Sequence, residues 1–325
     1  MKKEKTTKIK YCEKEGLIHN GTKKDLWMKM MMCTGVNMSY STFCQRTTTI
    51  HKANRRTDVC GACLRKVVLE KKKETSEFEK KELSTLIEHV KQATMTREEY
   101  RSQIDALGDG EMLIVLDFKQ DWELPYRFEQ PGRDFYTRQK ITHLGVVAFV
   151  GGGVQGPKKK IAYHFLSEVI TKDIHFIEGC LRQVIEDVRQ ENERMKRIMS
   201  RGRKDEKLSV WVDCGTHFRN GYLLASLFSD SESSLTRSFS SVSLSFFAEG
   251  HGKSDCDGEF GAISRIVMQK SRDMITIEDL MKFFEAECSI PRERRDGWDL
   301  SRRFRMFDQA SRLSFYSVPP SHSSI

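Results

Sequence analysis

The strongest constraint on the fold is the order in which apolar periodicities follow one another from residue 112 onward. Met112, Leu113, Ile114, Val115 and Leu116 open a strand-like run over 112–118. Residues 134–149 read as one long strand or a hairpin, through Phe135, Tyr136, Ile141, Leu144, Val146 and Val147. The glycines at 151–153 mark a turn, and 160–168 is another strand. Ile174, Ile177, Leu181, Val184 and Val188 then recur by threes and fours, the period of a helix with one buried side, over 173–197. A basic loop at 199–207 leads into strand 208–213, helix 217–229, strand 241–248 and helix 257–271.

The first three strands are close enough in sequence to pair as an antiparallel meander, whereas the later ones need parallel crossovers. This is the strand and helix order of the ribonuclease-H-like fold. The expected class is therefore α/β: a mixed sheet flanked by helices, with a small, mostly helical, cysteine-containing region before it. In such a sheet the first and fourth strands are neighbours, and so are the acids that end them, Asp117 and Asp213. A third acid, Asp257, follows the strand 241–248 and opens a helix. One carboxylate beside an apolar core is costly. Several that converge can hold Mg²⁺ or Mn²⁺, which prefer oxygen ligands. Phosphodiester cleavage and strand transfer with two such ions need a bridging acid, here Asp117. Asp213 is then expected on one metal and Asp257 or a nearby glutamate on the other. A lone aspartate at a strand end is more often a turn or cap residue; the joint occurrence with this topology favours the metal reading.

The densest stretch runs from Phe247 to Glu259 and holds four acids, His251 and Lys253 between a strand and a helix. Its glycines let backbone approach a phosphate, and a helix N-terminus favours anions. Lys253 is expected to touch phosphate, and His251 to orient an acid or touch DNA. The order of preference for the third metal ligand is Asp257, Glu249, Glu259. The bland reading is a polar loop in which Asp257 caps the helix.

The formal charge of +9 and a pI of about 9.0 favour a polyanionic partner over a merely soluble basic surface. No apolar run is long enough to span a bilayer, so no membrane partner is expected. The start Met1-Lys2-Lys3-Glu4-Lys5 lacks the apolar stretch of a signal peptide. The nine cysteines, irregularly spaced, point to a reducing compartment.

Cys60 and Cys63 form the one close cysteine pair, with the spacing of half a zinc site. Cys44 and His51 upstream are expected to complete one structural Zn²⁺ site, with Cys33 in reserve; the alternatives are a pair of reduced, partly buried thiols, or a site shared with segments that the sequence alone does not pair. Residues 1–24 are Lys-rich. Residues 25–46 carry a helical rhythm broken by Gly35, with Ser39 or Ser41 as a cap, which fits a helix–turn–helix remnant or a generic helical hairpin. Residues 71–107 form a charged amphipathic helix.

The stretches Arg56 to Cys63, Val115 to Gln120, Asp213 to Asn220 and His251 to Gly258 together resemble transposase-like proteins of eukaryotic cut-and-paste DNA transposons. The likeness covers roughly 38–270. It implies an acid-triad core that cuts and joins DNA, with an N-terminal part that binds it. Double-stranded DNA at transposon ends is then the expected partner, with Arg55, Arg56, Arg219, His251 and Lys253 as DNA contacts. A homodimer and a nuclear location are further expectations. The expected layout is a basic N-terminal region (1–70), a linker helix (71–108), a catalytic core (109–275), and a C-terminal helix with a basic tail (276–325). In that tail, arginines beside Trp298, Phe304 and Phe307 suit either a nucleic-acid surface or a helix packed on the core. The competing readings are a domesticated or degenerate DNA-binding protein without catalysis and a cellular nuclease acting on RNA or hybrids.

Overall fold

The computed structural model describes residues 17–19, 23–35, 37–47, 50–52, 60–127, 129, 131–152, 158–170, 172–191, 207–228, 236, 239–270, 272–289, 293–295 and 298–307. Arg55 and Arg56, most of the Lys-rich start, the basic loop before residue 207 and the end of the tail lie outside them. The chain forms two compact units, Met1–Val59 and Cys60–Ile325.

In the first unit, strand β1 (Leu17–His19) pairs in parallel with β2 (Ile50–Lys52) around helices α1 (Lys23–Thr34) and α2 (Tyr40–Arg46). Gly35, at φ +67°, ends α1, and Ser39 caps α2 by accepting from the Thr42 N–H. Trp27 donates to the Met38 carbonyl at 2.7 Å and meets the edge of Tyr40.

The second unit is built on a sheet of seven strands among the described residues. They are β3 (Glu111–Leu124), β4 (Gln139–Val150), β5 (Lys158–Ser167), β6 (Lys207–Val212), β7 (Ser241–Phe246), β8 (Glu293–Arg295) and β9 (Trp298–Met306). Their order across the sheet is β7-β6-β3-β4-β5-β9-β8. The first five follow the ribonuclease-H-like order: β3, β4 and β5 are an antiparallel meander, and β6 and β7 add in parallel beyond β3.

Strand alternation sends residues to two helical layers. Met112, Ile114 and Leu116 pack with α6 (Ile174–Glu191) and α7 (Gly221–Phe228). Leu113 and Val115 pack on the opposite face with Trp211, with Tyr100 of α4 (Glu77–Asp105) and with Phe260 of α8 (Asp255–Lys270). Helix α3 (Gly61–Glu70) precedes α4, and a Ser76–Glu79 capping box starts α4. Helix α9 (Ile277–Phe283) and a wide π-turn (Phe284–Cys288) cover Leu124, Ile141 and Leu166.

Two segments differ from the sequence reading. Phe135 and Tyr136 lie in a short helix, α5 (Gly132–Tyr136), held by an Arg127–Asp134 ion pair at 2.7 Å, so β4 begins only at Gln139. The expected basic tail is strand β9 over Trp298–Met306, parallel to β5. Its arginines are spent on ion pairs within the fold. Arg302 binds Glu259 on one face, while Arg303 and Arg305 reach Asp187 on the other.

Candidate functional site

The last paired residues of the parallel strands β3 and β6 are Leu116 and Val212, so Asp117 and Asp213 follow side by side. By alternation Asp117 shares the face of Leu113 and Val115, the face covered by α8, and Asp213 has the parity of Trp211 on that same face. Asp257 comes to this face in the first turn of α8. Burial pushes the Asp117 carboxyl up to about 7, and the charges of Asp257 and Asp213 add to that rise. The Phe118 N–H and Lys172 pull it the other way. Three carboxylates thus share one electrostatic neighbourhood. The donor set is hard oxygen, the kind of ligand that Mg²⁺ and Mn²⁺ take.

Each acid is held differently. Asp213 accepts from the Gly215 N–H at 2.8 Å, and His217 Nε2 lies 3.9 Å from the same oxygen. That Nε2 is buried and has no hydrogen-bond partner among the described residues, and burial lowers the imidazole pKa. An uncommitted nitrogen beside a carboxylate fits a site that takes a further group. Asp257 is also a helix cap: its carboxylate accepts from the Ser254 N–H at 2.9 Å. The capping and the site readings therefore describe the same side chain.

The other two glutamates separate from this group. Glu259 accepts from Arg302 Nε at 2.7 Å and is bound into the α8–β9 contact. Glu249 is exposed, and its charge is felt by Cys214 rather than by Asp117. Arg219 bonds Cys214 Sγ at 2.9 Å and lies over the Phe246 ring, which places a cation at the rim of the β6 end. Lys253 is exposed on the loop between β7 and α8.

Side chains not singled out from sequence surround the acids. Lys172 pairs with Asp121 at 3.0 Å and lies over Phe118. Asp255 takes a hydrogen bond from Tyr100 at 2.9 Å and an ion pair from Lys160, which pins the start of α8 to α4 and β5. A lone lysine before a helix and one more acid in a dense loop gave no spacing signal for these roles.

His251 takes a place other than the one expected. Its Nε2 stands 3.3 Å from Cys63 Sγ and 3.1 Å from His89 Nε2, which in turn stands 3.2 Å from Cys60 Sγ. The close cysteine pair is thus joined by His89 of α4 and by His251 of the β7–α8 loop, so Cys44 and His51 are not needed to complete a set of four. Cys44 belongs to the other compact unit, and the side chain of His51 lies outside the described residues. The physical reason is that the fold, not sequence proximity, brings α4 and this loop to the start of α3.

Comparison with known proteins adds a family. The search of curated proteins gives no match. Two solved structures are similar, both at 10% identity: the crystal structure of the Mos1 strand transfer complex (TM-score 0.31, 81% of this chain and 84% of that one) and the Mos1 transposase paired-end complex with left transposon end (TM-score 0.32, 82% and 84%). The family model described as a domain of unknown function, DUF8701, matches residues 97–290. That span includes Asp117, Asp213, His251 and Asp257. The chain belongs to the DUF8701 family.

Proposed function

We propose that this chain is a transposase-like DNA nuclease and strand transferase whose acids Asp117, Asp213 and Asp257 hold Mg²⁺ or Mn²⁺. The observation that carries the reading is the pairing of β3 with β6, which sets Asp117 beside Asp213 on the face where Asp257 arrives. Divalent ions at such a site activate a water or 3′-hydroxyl and offset charge on the leaving oxygen. The protein's part is to keep the acids oriented and close. Asp117, raised by burial and by like charges, is the side chain that gains most from a bound cation. Glu249 and Glu259 are weaker choices for the third position, Glu259 because Arg302 already claims it. Arg219 and Lys253 supply positive charge for the phosphate backbone, as Arg55 and Arg56 would from the other unit. The proposed partner is double-stranded DNA at transposon ends, the proposed assembly a homodimer and the proposed location the nucleus.

The purified chain is expected to nick supercoiled plasmid DNA with Mg²⁺ or Mn²⁺ and to stop when the ions are chelated. Salt-sensitive DNA binding with no cleavage under any divalent ion would instead favour a DNA-binding protein that has lost catalysis.

A further inference from the structure

We propose that Cys60, Cys63, His89 and His251 form a tetrahedral Zn²⁺ site that staples the β7–α8 loop to helices α3 and α4. The ligand atoms of these four half-buried residues all lie within 4.8 Å of one another. Three edges of the set measure 3.2, 3.3 and 3.1 Å. A tetrahedron around zinc has edges of about 3.3 Å between nitrogens and about 3.6 Å between nitrogen and sulfur, given Zn–N near 2.05 Å and Zn–S near 2.3 Å. The set is thus a few tenths of an ångström tighter than the bound geometry.

Hydrogen bonding alone accounts poorly for this cluster. An imidazole Nε2 offers a single in-plane proton or lone pair. Here each Nε2 faces two partners: His89 faces Cys60 and His251, and His251 faces Cys63 and His89. Four polar atoms aimed at one centre, two of them thiols, match a cation that takes nitrogen and sulfur in fourfold coordination. Two thiolates and two imidazoles select zinc over Mg²⁺ or Ca²⁺.

The loop shows what the staple holds. His251 lies between two glycines that permit close approach on either side. Gly250 has φ +71°, and a Cβ there would stand 3.2 Å from Cys60 Sγ. A Cβ on Gly252 would stand 2.9 Å from Asp213 Cβ. Arg97 of α4 closes the loop from outside by donating to the His251 and Lys253 carbonyls. The zinc set and the Asp213 side chain therefore grip opposite ends of one short turn, which continues into α8 and Asp257. Zinc binding would fix the backbone that carries the third acid. This coupling rests on the acid-site reading above; the zinc site does not.

The test is metal content of the full-length chain purified under reducing conditions. About one zinc per chain is expected. After exchange with Co²⁺, a thiolate charge-transfer band and the visible bands of a tetrahedral site are expected. Cys63→Ser and His89→Ala should lose the zinc, His89→Cys should keep it with a stronger charge-transfer band, and Cys44→Ser and Asp117→Asn should keep it unchanged. Zinc-free wild type that also yields no cobalt–thiolate band would overturn the proposal, as would zinc retained by Cys63→Ser or lost in Cys44→Ser. His89→Cys guards against misfolding of the alanine variant. Asp117→Asn separates the two sites: full zinc with no nicking by any form would sink the acid-site reading and leave the staple standing.

Discussion

Gly252 lies so close to Asp213 that a single added methyl would stand 2.9 Å from the aspartate Cβ. The contact locks the β7–α8 loop to the end of β6. Gly252→Ala should therefore push loop and acid apart. The expected cost is about 1–3 kcal/mol of stability, as for other overpacked positions, with a fall in divalent-dependent nicking of at least about tenfold from misplacement of the acids. Denaturant titration and a nicking assay measure the two effects. A variant equal to wild type in both would mean that the loop is not held there.

Asp117 predicts how stability follows pH when divalent ions are chelated. Its carboxyl titrates near 3.8 unfolded and at about 7 folded. The folded chain thus holds the extra proton between these values. Its stabilising contribution is full below about 3.8 and is lost as pH rises through about 7. Metal-free protein should lose several degrees of Tm on this account between pH 5 and pH 8, on the order of what a shift of this kind produces in a domain this size. Mg²⁺ or Mn²⁺ should restore it at pH 8, and Asp117→Asn should abolish both changes. Thermal melts at the two pH values check this; a pH 8 melt indifferent to divalent ions would count against it.

A second titration runs in the opposite direction. Trp122 donates to His143 Nδ1 at 3.0 Å, and His143 Nε2 meets His164 Nδ1 at 3.0 Å, a buried chain that needs both rings neutral. Burial holds His164 down to about 3 and His143 well below its ordinary 6.5. The unfolded chain binds more protons below about 6.5, so stability should fall as pH drops from there toward 3. His164→Gln should start less stable but decline less steeply, because one titrating group is gone. Urea unfolding at a series of pH values reads the slopes, and equal slopes would contradict the assignment.

DNA affinity should fall steeply with salt, because neutralised phosphates release counterions. Arg219→Ala and Lys253→Ala should each weaken binding severalfold at low salt and reduce the salt slope by about one ion. Binding titrations from 50 to 200 mM salt test this. Variants with unchanged slope would remove those two residues from the interface.

Much of the core was legible because apolar runs and apolar periodicity are direct signals. Met112 to Leu116 and Leu208 to Val212 read as strands, and their register brought Asp117 beside Asp213. The helical rhythm of Ile174 to Val188 marked α6 in the same way. Strand β9 was obscured because Arg302 interrupts its alternation of Trp298, Leu300, Phe304 and Met306. Only the fold shows that Glu259 waits for that guanidinium. His89 and His251 were hidden as partners of Cys60 and Cys63 for a related reason. A metal set drawn from a helix and a distant loop has no local spacing to read, whereas Cys44 and His51 lay nearer in sequence.

The central claim is that Asp117 serves a metal-dependent cut in DNA, and Asp117→Asn tests it most directly. Asparagine keeps the shape and removes the charge that would bridge two cations. Nicking of supercoiled plasmid in Mn²⁺ or Mg²⁺ should drop to background, because the ion that activates the nucleophile is lost. DNA binding should stay within about twofold or tighten slightly, since one negative charge is gone. Wild-type nicking with none by the variant at equal DNA affinity is the predicted result. Nicking by Asp117→Asn at the wild-type rate would contradict the account.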